Sequence, residues 1–474
     1  MKGTKMSDYD VIVIGGGIGG TGVGALLAYR GLKVLLLEKN SFIGGRCSSY
    51  KKDGFTVSSY IHAFSSSDKG ALGEILRKIK MPDEIDWVQQ SSALLNFKGI
   101  EFNLPISSDI NKVLEIAKRM PIPQNELEKL LKLNMDMLSL SSKKVHALDE
   151  LDLKSWLSQH TDNSFVHAMT AFLSAASFVI PYYEASTGEY IRILQNMVAA
   201  GQGGYPRGDC ITIPQAYCKG IEKYGGAIKL NTEVKRIIIE NDRVSGVELL
   251  DGKKINSKIV ISNVNIKNTV FDLVGQEFFE NKYTKYLKDL KYSWSAIVLK
   301  IALKKKVTEH TAFIYFPTDN PVEYFQQLER RKIPDEFFLW VVVPSNIDPN
   351  LAPHGKQLIC CGTPLPYSKH EDWSPWVEQC YTTLINLMPE IPKHQLWQDI
   401  VTPSDIERVL GEEGAVIGIA QTIDQVGKNR PSIKSPLPGL YFVGAEAGGW
   451  GIGTELAAQS ALECAKIVLK DLKT

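Results

Sequence analysis

Three glycines near the N-terminus have the spacing of a dinucleotide-binding turn. Gly15, Gly17 and Gly20 form a GxGxxG pattern between an apolar run at 9–14, which predicts a short buried strand, and a helix-like segment. In such a turn the first glycine permits a tight bend, the second lets backbone approach a pyrophosphate, and the third lets the helix pack close to the sheet. Amides at the helix N-terminus then face the phosphates. Glycine-rich turns also occur where a loop simply has to be tight.

An acidic residue and a second glycine turn follow. The run at 33–37 predicts another strand and ends at Glu38, whose carboxylate can accept hydrogen bonds from both hydroxyls of an adenosine ribose. This residue favours FAD or NAD over NADP. Gly44, Gly45 and Arg46 come next, and a glycine turn with a fixed cation suits the extended pyrophosphate of FAD, because arginine makes bidentate contacts to phosphate. On its own, GGR could be only a turn.

The elements that would position these residues return later in the chain. From residue 225, short β-rich runs divided by turn signals at 241–242 and 251–252 lead to a predicted core strand at 258–261. Near the C-terminus, residues 440–443 predict a strand, 444–453 a glycine-rich turn, and 454 onward a helix. Backbone packed this tightly suits a flat ligand such as a flavin, although an ordinary strand-to-helix turn has the same pattern.

Five motifs extend from one end of the chain to the other: GGGIGG (15–20), LLLEKN (35–40), GGR (44–46), GGYPRGD (203–209) and LYFVGAEAGGWGIGTELAAQSA (440–461). Together they resemble the FAD-dependent amine oxidase and phytoene desaturase superfamily, and most closely its phytoene desaturase, carotenoid isomerase and retinol saturase branch. The resemblance implies an α/β fold, with a discontinuous, glutathione-reductase-like Rossmann-type FAD-binding domain and a mixed α+β substrate domain. It also implies noncovalent FAD, because no cysteine lies in the C-terminal turn.

The resemblance assigns cofactor contacts. The backbone near Val234 is expected against adenine, Gly444 and Glu446 at the ribityl and pyrophosphate region, and the helix N-terminus at Gly453 and Thr454 toward the isoalloxazine. A helix dipole there would stabilise the anionic reduced flavin. The full predicted set is Gly15, Gly17, Ile18, Gly19, Gly20, Glu38, Lys39, Gly45, Arg46, Val234, Gly444, Glu446, Gly453 and Thr454.

The order of the motifs predicts two interleaved domains. The FAD-binding domain is expected from 1–107, 201–289 and 401–474, and the substrate domain from a mostly helical insertion at 108–200 and a β-rich insertion at 290–400. The apolar stretch at 165–180 could line a tunnel for a hydrophobic molecule or belong to the core.

Catalytic candidates are His62, Tyr60 and Trp450, with Tyr205 as a further residue near the flavin, and they form no triad. His62 lies where the family often has a histidine, and both a proton-transfer role and a hydrogen-bonded structural role are open. Trp450 could form one aromatic wall of the site or pack the turn.

Three residues depart from the family pattern. Ser58 stands where an acid is common, Tyr60 where a glycine is common, and Asp209 replaces the second glycine usual after GGYPRG. These departures put the transfer of substrate identity in doubt.

Composition restricts partners and location. Because 54 basic residues balance 53 acidic ones, nucleic acid is not an expected partner. Seven cysteines without CxxC spacing or a Cys/His cluster predict neither a disulfide framework nor a metal site, and suit a reducing compartment. The sequence has no signal segment and no apolar run long enough to span a membrane. A cytoplasmic protein is predicted; peripheral membrane contact and the oligomeric state stay open.

The preferred interpretation is an FAD-dependent desaturase- or saturase-like oxidoreductase acting on CH–CH bonds of a small hydrophobic substrate, isoprenoid or carotenoid-like. An amine or amino-acid oxidase is the first alternative, but only Trp450 has a defensible place as an aromatic flank. The second is a non-redox prenyl-protein binding module of the GDP-dissociation-inhibitor type, against which the complete glycine motifs and Glu38 argue.

Overall fold

The computed structural model describes residues 8–64, 66–89, 92–105, 122–201 and 203–473. Its strands are β1 Val11–Ile14, β2 Val34–Leu37, β3 Ser49–Lys52, β4 Phe55–Ser58, β5 Trp87–Gln89, β6 Ser92–Phe97, β7 Ile100–Pro105, β8 Gly204–Pro206, β9 Ala227–Lys229, β10 Val234–Glu240, β11 Arg243–Leu249, β12 Lys254–Asn256, β13 Val260–Ser262, β14 Ser295–Leu303, β15 Ala312–Phe316, β16 Leu339–Val342, β17 Gln357–Leu365, β18 Gln395–Val401 and β19 Leu440–Phe442. Its α-helices are α1 Ile18–Tyr29, α2 Ala71–Lys78, α3 Gln124–Ser139, α4 Ser142–His146, α5 Leu153–Leu157, α6 Ser164–Phe178, α7 Thr187–Ala200, α8 Thr212–Lys223, α9 Ile266–Asn268, α10 Asn281–Asp289, α11 Pro321–Glu329, α12 Pro344–Ile347, α13 Ser374–Leu387, α14 Ile391–His394, α15 Pro403–Leu410 and α16 Gly453–Asp471.

A five-stranded parallel sheet, in the order β19-β13-β1-β2-β9, carries the dinucleotide motifs. Ile12 in the central strand is in register with Leu35 on one side and Val260 on the other. All residues of β1 and β2 are buried, as expected for parallel strands covered on both faces. The strands predicted at 9–14, 33–37, 258–261 and 440–443 are confirmed with bounds shifted by up to two residues.

Alternate side chains of β1 pack into two different hydrophobic cores. Val11 and Val13 pack with the apolar faces of α1, α2, α8 and α16. Ile12 and Ile14 pack instead with residues of the β10-β11-β12 meander, among them Val247. The parallel sheet is therefore the middle layer between helices and a small antiparallel sheet.

A seven-stranded sheet, in the order β18-β14-β17-β16-β15-β6-β7, forms the core of the other unit. It contains the β-rich runs predicted at 290–400, but also β6 and β7 from near the N-terminus, since β6 pairs in parallel with β15. The predicted domain boundary at 107 is therefore wrong for these two strands. An apolar hairpin lengthens the substrate-domain sheet and covers its edge, which a local pattern does not reveal.

The helical insertion is described from residue 122, and residues 106–121 of the predicted segments lie outside the described residues. Helix α6 packs on the seven-stranded sheet, where Phe172 stacks on Phe338 with ring centroids 5.1 Å apart. Phe165, Ala168 and Ala175 of the same helix are also core residues. Most of the apolar stretch at 165–180 is thus core. No helix in the described ranges has the length and apolar composition to cross a bilayer.

Candidate functional site

The carboxyl ends of β1, β2, β13 and β19 meet at one edge of the parallel sheet. Gly15 follows β1, Glu38 follows β2, Asn263 follows β13, and Gly444 comes shortly after β19. Ligands of open α/β sheets bind at this edge, beyond the carboxyl ends of the strands. The topology thus brings together predicted residues from the two ends of the chain.

The N-terminal glycine turn has no room for side chains. A Cβ on Gly20 would lie 2.0 Å from the carbonyl oxygen of Gly15, and one on Gly19 would lie 2.9 Å from Cα of Gly444. Helix α1 begins at Ile18, and no side chain caps it at Gly17. Its first amides are therefore available to an anion such as a pyrophosphate.

Glu38 is buried and fixes the turn from the side. Its Oε2 accepts the amide of Gly16 at 2.7 Å, and its Oε1 accepts the amide and side chain of Asn40 at 2.9 and 2.8 Å. A carboxylate has about four acceptor positions and three are used here, so one bond to a ribose hydroxyl remains available. Lys39, beside it, is exposed.

The segment before Val234 lies next to Glu38. The amide of Thr232 donates to the carbonyl of Glu38 at 2.8 Å, and the amide of Asn231 to that of Asn40 at 2.9 Å. Val234 itself is buried at the start of β10. The backbone predicted against adenine therefore adjoins the residue predicted against the ribose.

The GGR turn packs directly on the first glycine turn. The amide of Gly44 donates to the carbonyl of Gly16 at 2.8 Å, and Gly44 pairs with Gly17 in a parallel β-bridge. Gly44 and Gly45 have φ of 112° and 57°, which only glycine adopts without strain. Arg46 is thereby presented beside the helix N-terminus.

Arg46 bonds to two residues and keeps a buried donor unused. Its guanidinium forms an ion pair with Glu412 and donates to the carbonyl of Ala415 at 3.3 Å. Burial lowers the pKa of Arg46, but the carboxylates of Glu412 and Glu446 outweigh burial and raise it. Its buried Nε has no partner among the described residues, and a phosphate oxygen is an acceptor that would satisfy it. The residues present fit FAD.

The C-terminal turn lies against the first one and leads into α16. The amide of Gly444 donates to Oγ of Ser460 at 3.3 Å. Helix α16 begins at Gly453, with Thr454 in its first turn and no capping side chain at Ile452. A Cβ on Gly453 would meet nothing within 4 Å, so the helix N-terminus borders open space where a flat ring could lie.

Glu446 is turned toward the element after β13. Its oxygens accept the amide of Ile266 at 2.8 Å and Nδ2 of Asn265 at 3.0 Å. Burial and the neighbouring Glu412 raise the pKa of Glu446 to about 8, against the opposing effects of the Ile266 amide and Arg46. Its side chain is thus already engaged, and its predicted cofactor contact stays a prediction.

His62 is held by the GGR turn. Its Nε2 lies 3.0 Å from the carbonyl oxygen of Arg46, and its ring stacks on Phe64 with centroids 6.1 Å apart. Burial lowers the pKa of His62, but Cys210 and Asp209 together with the Arg46 carbonyl raise it to about 8. These contacts give His62 a structural role, and proton transfer stays a prediction.

The other two catalytic candidates lie on different sides of the site. Tyr60 is half-buried near Arg46, and burial raises its pKa while Arg46 opposes the shift. Trp450 lies in the C-terminal turn, with the guanidinium of Arg192 3.8 Å from the centre of its ring and the His146 ring 4.9 Å away. Tyr205 is buried and donates to Asp209 at 2.6 Å.

The departures at Ser58 and Asp209 belong to one network. Asp209 is fully buried with φ of 82°, and Ser49, Ser58 and Tyr205 donate to its carboxylate, the last two at 2.6 Å. The acid that the family often has at position 58 is thus supplied from position 209. Ser58 and Asp209 are 151 residues apart, so nothing local in the sequence indicates that they contact each other.

Cys47, His62 and Cys210 also come together, with ligand atoms within 4.8 Å of one another. Three such groups could hold a metal ion, although no spacing in the sequence predicted a metal site. Here Cys47 Sγ donates to the carbonyl of Cys210 at 3.4 Å, and Cys210 Sγ to that of Ser48 at 3.7 Å. Burial raises the pKa of Cys210, which disfavours the thiolate that binds metals.

Asn263 is the site residue that the sequence analysis missed. A Cβ on Gly17 would lie 2.8 Å from Nδ2 of Asn263, and a Cβ on Gly19 would lie 2.6 Å from its Oδ1. The Asn263 side chain thus packs against both glycines. Its Nδ2 also approaches the carbonyl of Gly15 at 3.5 Å. The available signal was its position directly after the predicted core strand at 258–261, at the same sheet edge as Gly15.

Comparison with known proteins agrees with this geometry. The curated relatives include phytoene desaturase of Fusarium fujikuroi, 26% identical over 533 residues that span 98% of this chain and 90% of the relative. They also include chloroplastic prolycopene isomerase of Daucus carota, 25% identical over 515 residues that span 99% and 81%.

Solved structures share the fold. An oxidoreductase from Methanosarcina mazei superimposes with a TM-score of 0.77 at 20% identity, covering 96% of this chain and 99% of that one. Cyclohexylamine oxidase from Brevibacterium oxydans IH-35A gives 0.69 at 14% identity, with 98% and 100% covered. The predicted α/β FAD-binding fold with a substrate domain is confirmed.

Family membership follows from the sequence as a whole. Residues 24–469, nearly the entire chain, match the family described as flavin containing amine oxidoreductase. The chain therefore belongs to the flavin-containing amine oxidoreductase family and is an FAD-dependent oxidoreductase.

Proposed function

We propose that the protein binds FAD noncovalently and oxidises or reduces CH–CH bonds of a hydrophobic, isoprenoid or carotenoid-like substrate. The observation that carries the proposal is the likeness over almost the full chain to relatives named for phytoene and prolycopene, both isoprenoid hydrocarbons. The shared fold alone does not distinguish hydrocarbon substrates from amines, since cyclohexylamine oxidase has the same fold.

The chain's own residues supply binding and orientation in this proposal. The amides at the start of α1 and the Arg46 guanidinium hold the pyrophosphate, and Glu38 holds the adenosine ribose. Gly453 and Thr454 present the N-terminus of α16 to the isoalloxazine. FAD, when bound, supplies the two-electron chemistry.

Noncovalent attachment rests on the positions of the cysteines. None occurs between 444 and 463, and Cys464 is fully buried within α16. A thioether to the flavin would need a cysteine that reaches the ring from the turn. The bound FAD should therefore leave the protein on denaturation.

The amine oxidase alternative requires aromatic rings beside the substrate nitrogen. Trp450 was the one ring in the predicted site with a suitable position, and the Arg192 guanidinium occupies a face of that ring. A tryptophan packed in this way supports a role in holding the turn rather than in flanking a substrate. This observation favours the hydrocarbon substrate class.

The first experiment is a visible absorption spectrum of the purified protein, followed by heat release and chromatography of the pigment. We expect a flavin band and release of FAD. A protein that stays colourless after incubation with FAD would overturn the redox proposal and favour a non-redox binding module.

Substrate class is tested with the FAD-bound protein. Phytoene, diapophytoene and prolycopene in lipid vesicles are incubated aerobically with it, and the products are separated by chromatography with absorbance detection of the polyene. A panel of primary and secondary amines is assayed in parallel for peroxide. Polyene products without amine turnover would support the proposal, whereas amine-dependent peroxide with unchanged polyenes would overturn it.

A further inference from the structure

A buried group of charged residues in the helical insertion contacts the C-terminal turn. Glu189, in the first turn of α7, is fully buried. Its Oε1 accepts the amide of Gly451 at 2.6 Å, and its Oε2 accepts the guanidinium of Arg192 at 2.7 Å. One carboxylate therefore joins the helical insertion to the backbone two residues before α16.

Arg192 contacts the same turn through a side chain. Its guanidinium lies 3.8 Å from the centre of the Trp450 ring, a cation–π distance. It also pairs with Asp149 and approaches Nδ1 of His146 at 2.9 Å. Consecutive residues of the turn, Trp450 and Gly451, are thus held by residues one helical turn apart.

Arg430 completes the group from the other side. It is buried, pairs with Gln421, and approaches the carbonyl of Ala445 at 3.5 Å. The charge of Glu189 acts on Arg430 and opposes the lowering of its pKa by burial. Two arginines and the carboxylates of Glu189, Asp149 and Glu463 therefore lie together against the turn.

The ionised form of Glu189 fits its surroundings. Burial raises the pKa of Glu189, while Arg430, Arg192 and the Gly451 amide oppose the shift. Both of its oxygens accept from N–H donors, as a carboxylate does. Neutralising one member changes the net charge of the group by one, and buried charges act strongly at low dielectric.

We propose that Glu189 and Arg192 are positioning residues that fix the turn before α16 against the flavin and set the flavin reduction potential through their opposite charges. The inference rests on the proposed place of the isoalloxazine at the N-terminus of α16. Reduction adds negative charge to the flavin, so a net positive group nearby favours it and a net negative group opposes it.

The test uses the FAD-bound protein and two substitutions of opposite charge effect. Glu189→Gln retains an acceptor for the Gly451 amide and removes one negative charge, and Arg192→Gln removes one positive charge. The flavin potential is measured by anaerobic equilibration with reference dyes, and the melting temperature is recorded for each. We expect Glu189→Gln to raise the potential and Arg192→Gln to lower it. Each shift should be at least tenfold in the equilibrium constant, about 30 mV for a two-electron couple.

Opposite shifts separate this role from simple damage to the fold. Both single substitutions should lower the melting temperature, whereas only a charge effect moves the potential in opposite directions. The double variant should return to near the wild-type potential. Glu150→Gln is the matched control, because Glu150 is exposed in the same insertion and pairs with Lys428 at 3.0 Å; its potential should not move.

The outcomes also separate this inference from the proposed function. Wild-type protein without FAD would remove the proposed function itself. Full FAD content with unshifted potentials, or shifts of the same sign, would overturn the inference alone. If Glu189→Gln retains no FAD, Glu189→Asp keeps the charge with a shorter reach and should bind FAD at least tenfold more weakly; wild-type affinity would overturn the positioning role.

Discussion

The two glycine-rich turns that would enclose FAD are held in different ways. In the N-terminal turn two amides donate to backbone, Gly15 to Leu37 and Gly44 to Gly16, both at 2.8 Å, and that of Gly16 donates to the Glu38 side chain at 2.7 Å. In the C-terminal turn side chains accept three amides, and that of Gly448 donates to the carbonyl of Pro431 at 2.9 Å. The pairs are Gly444 to Ser460, Gly449 to Glu463 and Gly451 to Glu189.

This difference separates two kinds of requirement. The first turn mainly needs side chains to be absent, with Glu38 as its one side-chain acceptor among the bonds described above. The second turn needs particular polar side chains elsewhere, since a buried amide without an acceptor costs about 1–3 kcal/mol. For the N-terminal turn, the most damaging substitutions should therefore be those of its own glycines. For the C-terminal turn, they should be those of the distant polar residues whose side chains accept its amides.

Gly20→Ala should have the largest effect. The new methyl group would lie 2.0 Å from the carbonyl oxygen of Gly15, so α1 would have to move away from β1. We expect loss of bound FAD and destabilisation by more than ~3 kcal/mol, at the upper end of overpacking costs. Flavin absorbance and urea unfolding measure both.

Gly31→Ala is the matched control for that substitution. Gly31, unlike Gly20, has a positive φ, 86°, and a Cβ there meets nothing within 4 Å. Only the backbone strain of about 1–2 kcal/mol should remain, with FAD retained. Equal effects of the two substitutions would show that close packing does not govern the N-terminal turn.

Asp209→Gly tests whether the N-terminal side also depends on distant side chains. Glycine relieves the strained φ, but the hydroxyls of Ser58 and Tyr205 lose a buried acceptor. We expect a net cost of about 2 kcal/mol in urea unfolding, since each lost acceptor costs about 1–3 kcal/mol and the relieved strain about 1–2 kcal/mol.

The double variant Ser58→Asp with Asp209→Gly supplies the control. It returns the acid to position 58, where the family often has one. The cost in unfolding free energy of the double variant should therefore be at least ~1 kcal/mol smaller than the sum of the costs of the two single substitutions. Additive costs would mean that the departures at 58 and 209 are unrelated.

The same contrast explains what could be predicted from sequence. Gly15–Gly20, Glu38 and the parallel strands were predictable, because a strand, a tight turn and a helix are encoded by neighbouring residues. The contact between Glu189 and Gly451 joins residues 262 positions apart, and nothing local in either segment indicates it. For the same reason β6 and β7 were placed in the FAD-binding segment 1–107, and the sequence left open whether Trp450 forms an aromatic wall or packs the turn.

Ser460→Ala should weaken the C-terminal turn moderately. Ser460 is fully buried, accepts the amide of Gly444 at 3.3 Å and donates to the carbonyl of Ala447 at 2.7 Å. We expect a loss of about 1–2 kcal/mol in unfolding free energy and weaker FAD binding. Ser432→Ala, at an exposed position of the preceding segment, should stay within about 0.5 kcal/mol of wild type. Unchanged stability and FAD affinity in Ser460→Ala would show that the turn does not need this acceptor.

The effect of Glu446→Gln should be a change in how stability depends on pH. The folded-state pKa of Glu446 is about 8, against an ordinary value of 4.5. Between these values the folded protein keeps a proton that the unfolded chain releases. This group's contribution to stability is therefore full below pH 4.5 and is lost as pH rises to about 8, by at most ~1.4 kcal/mol per pH unit.

Glutamine does not titrate. In urea unfolding from pH 5 to 8, the unfolding free energy of the variant should therefore fall less steeply with pH than that of wild type. Glu455, whose pKa burial raises to about 7, contributes in the same direction and is present in both proteins. The residual slope of the variant should therefore be negative below pH 7. Glu277→Gln, at an exposed carboxylate, controls for the substitution itself. Identical slopes in wild type and Glu446→Gln would mean that Glu446 is ionised in the folded turn. The side chains around that turn would then stabilise a charge, and the contrast with the backbone-held N-terminal turn would be sharper still.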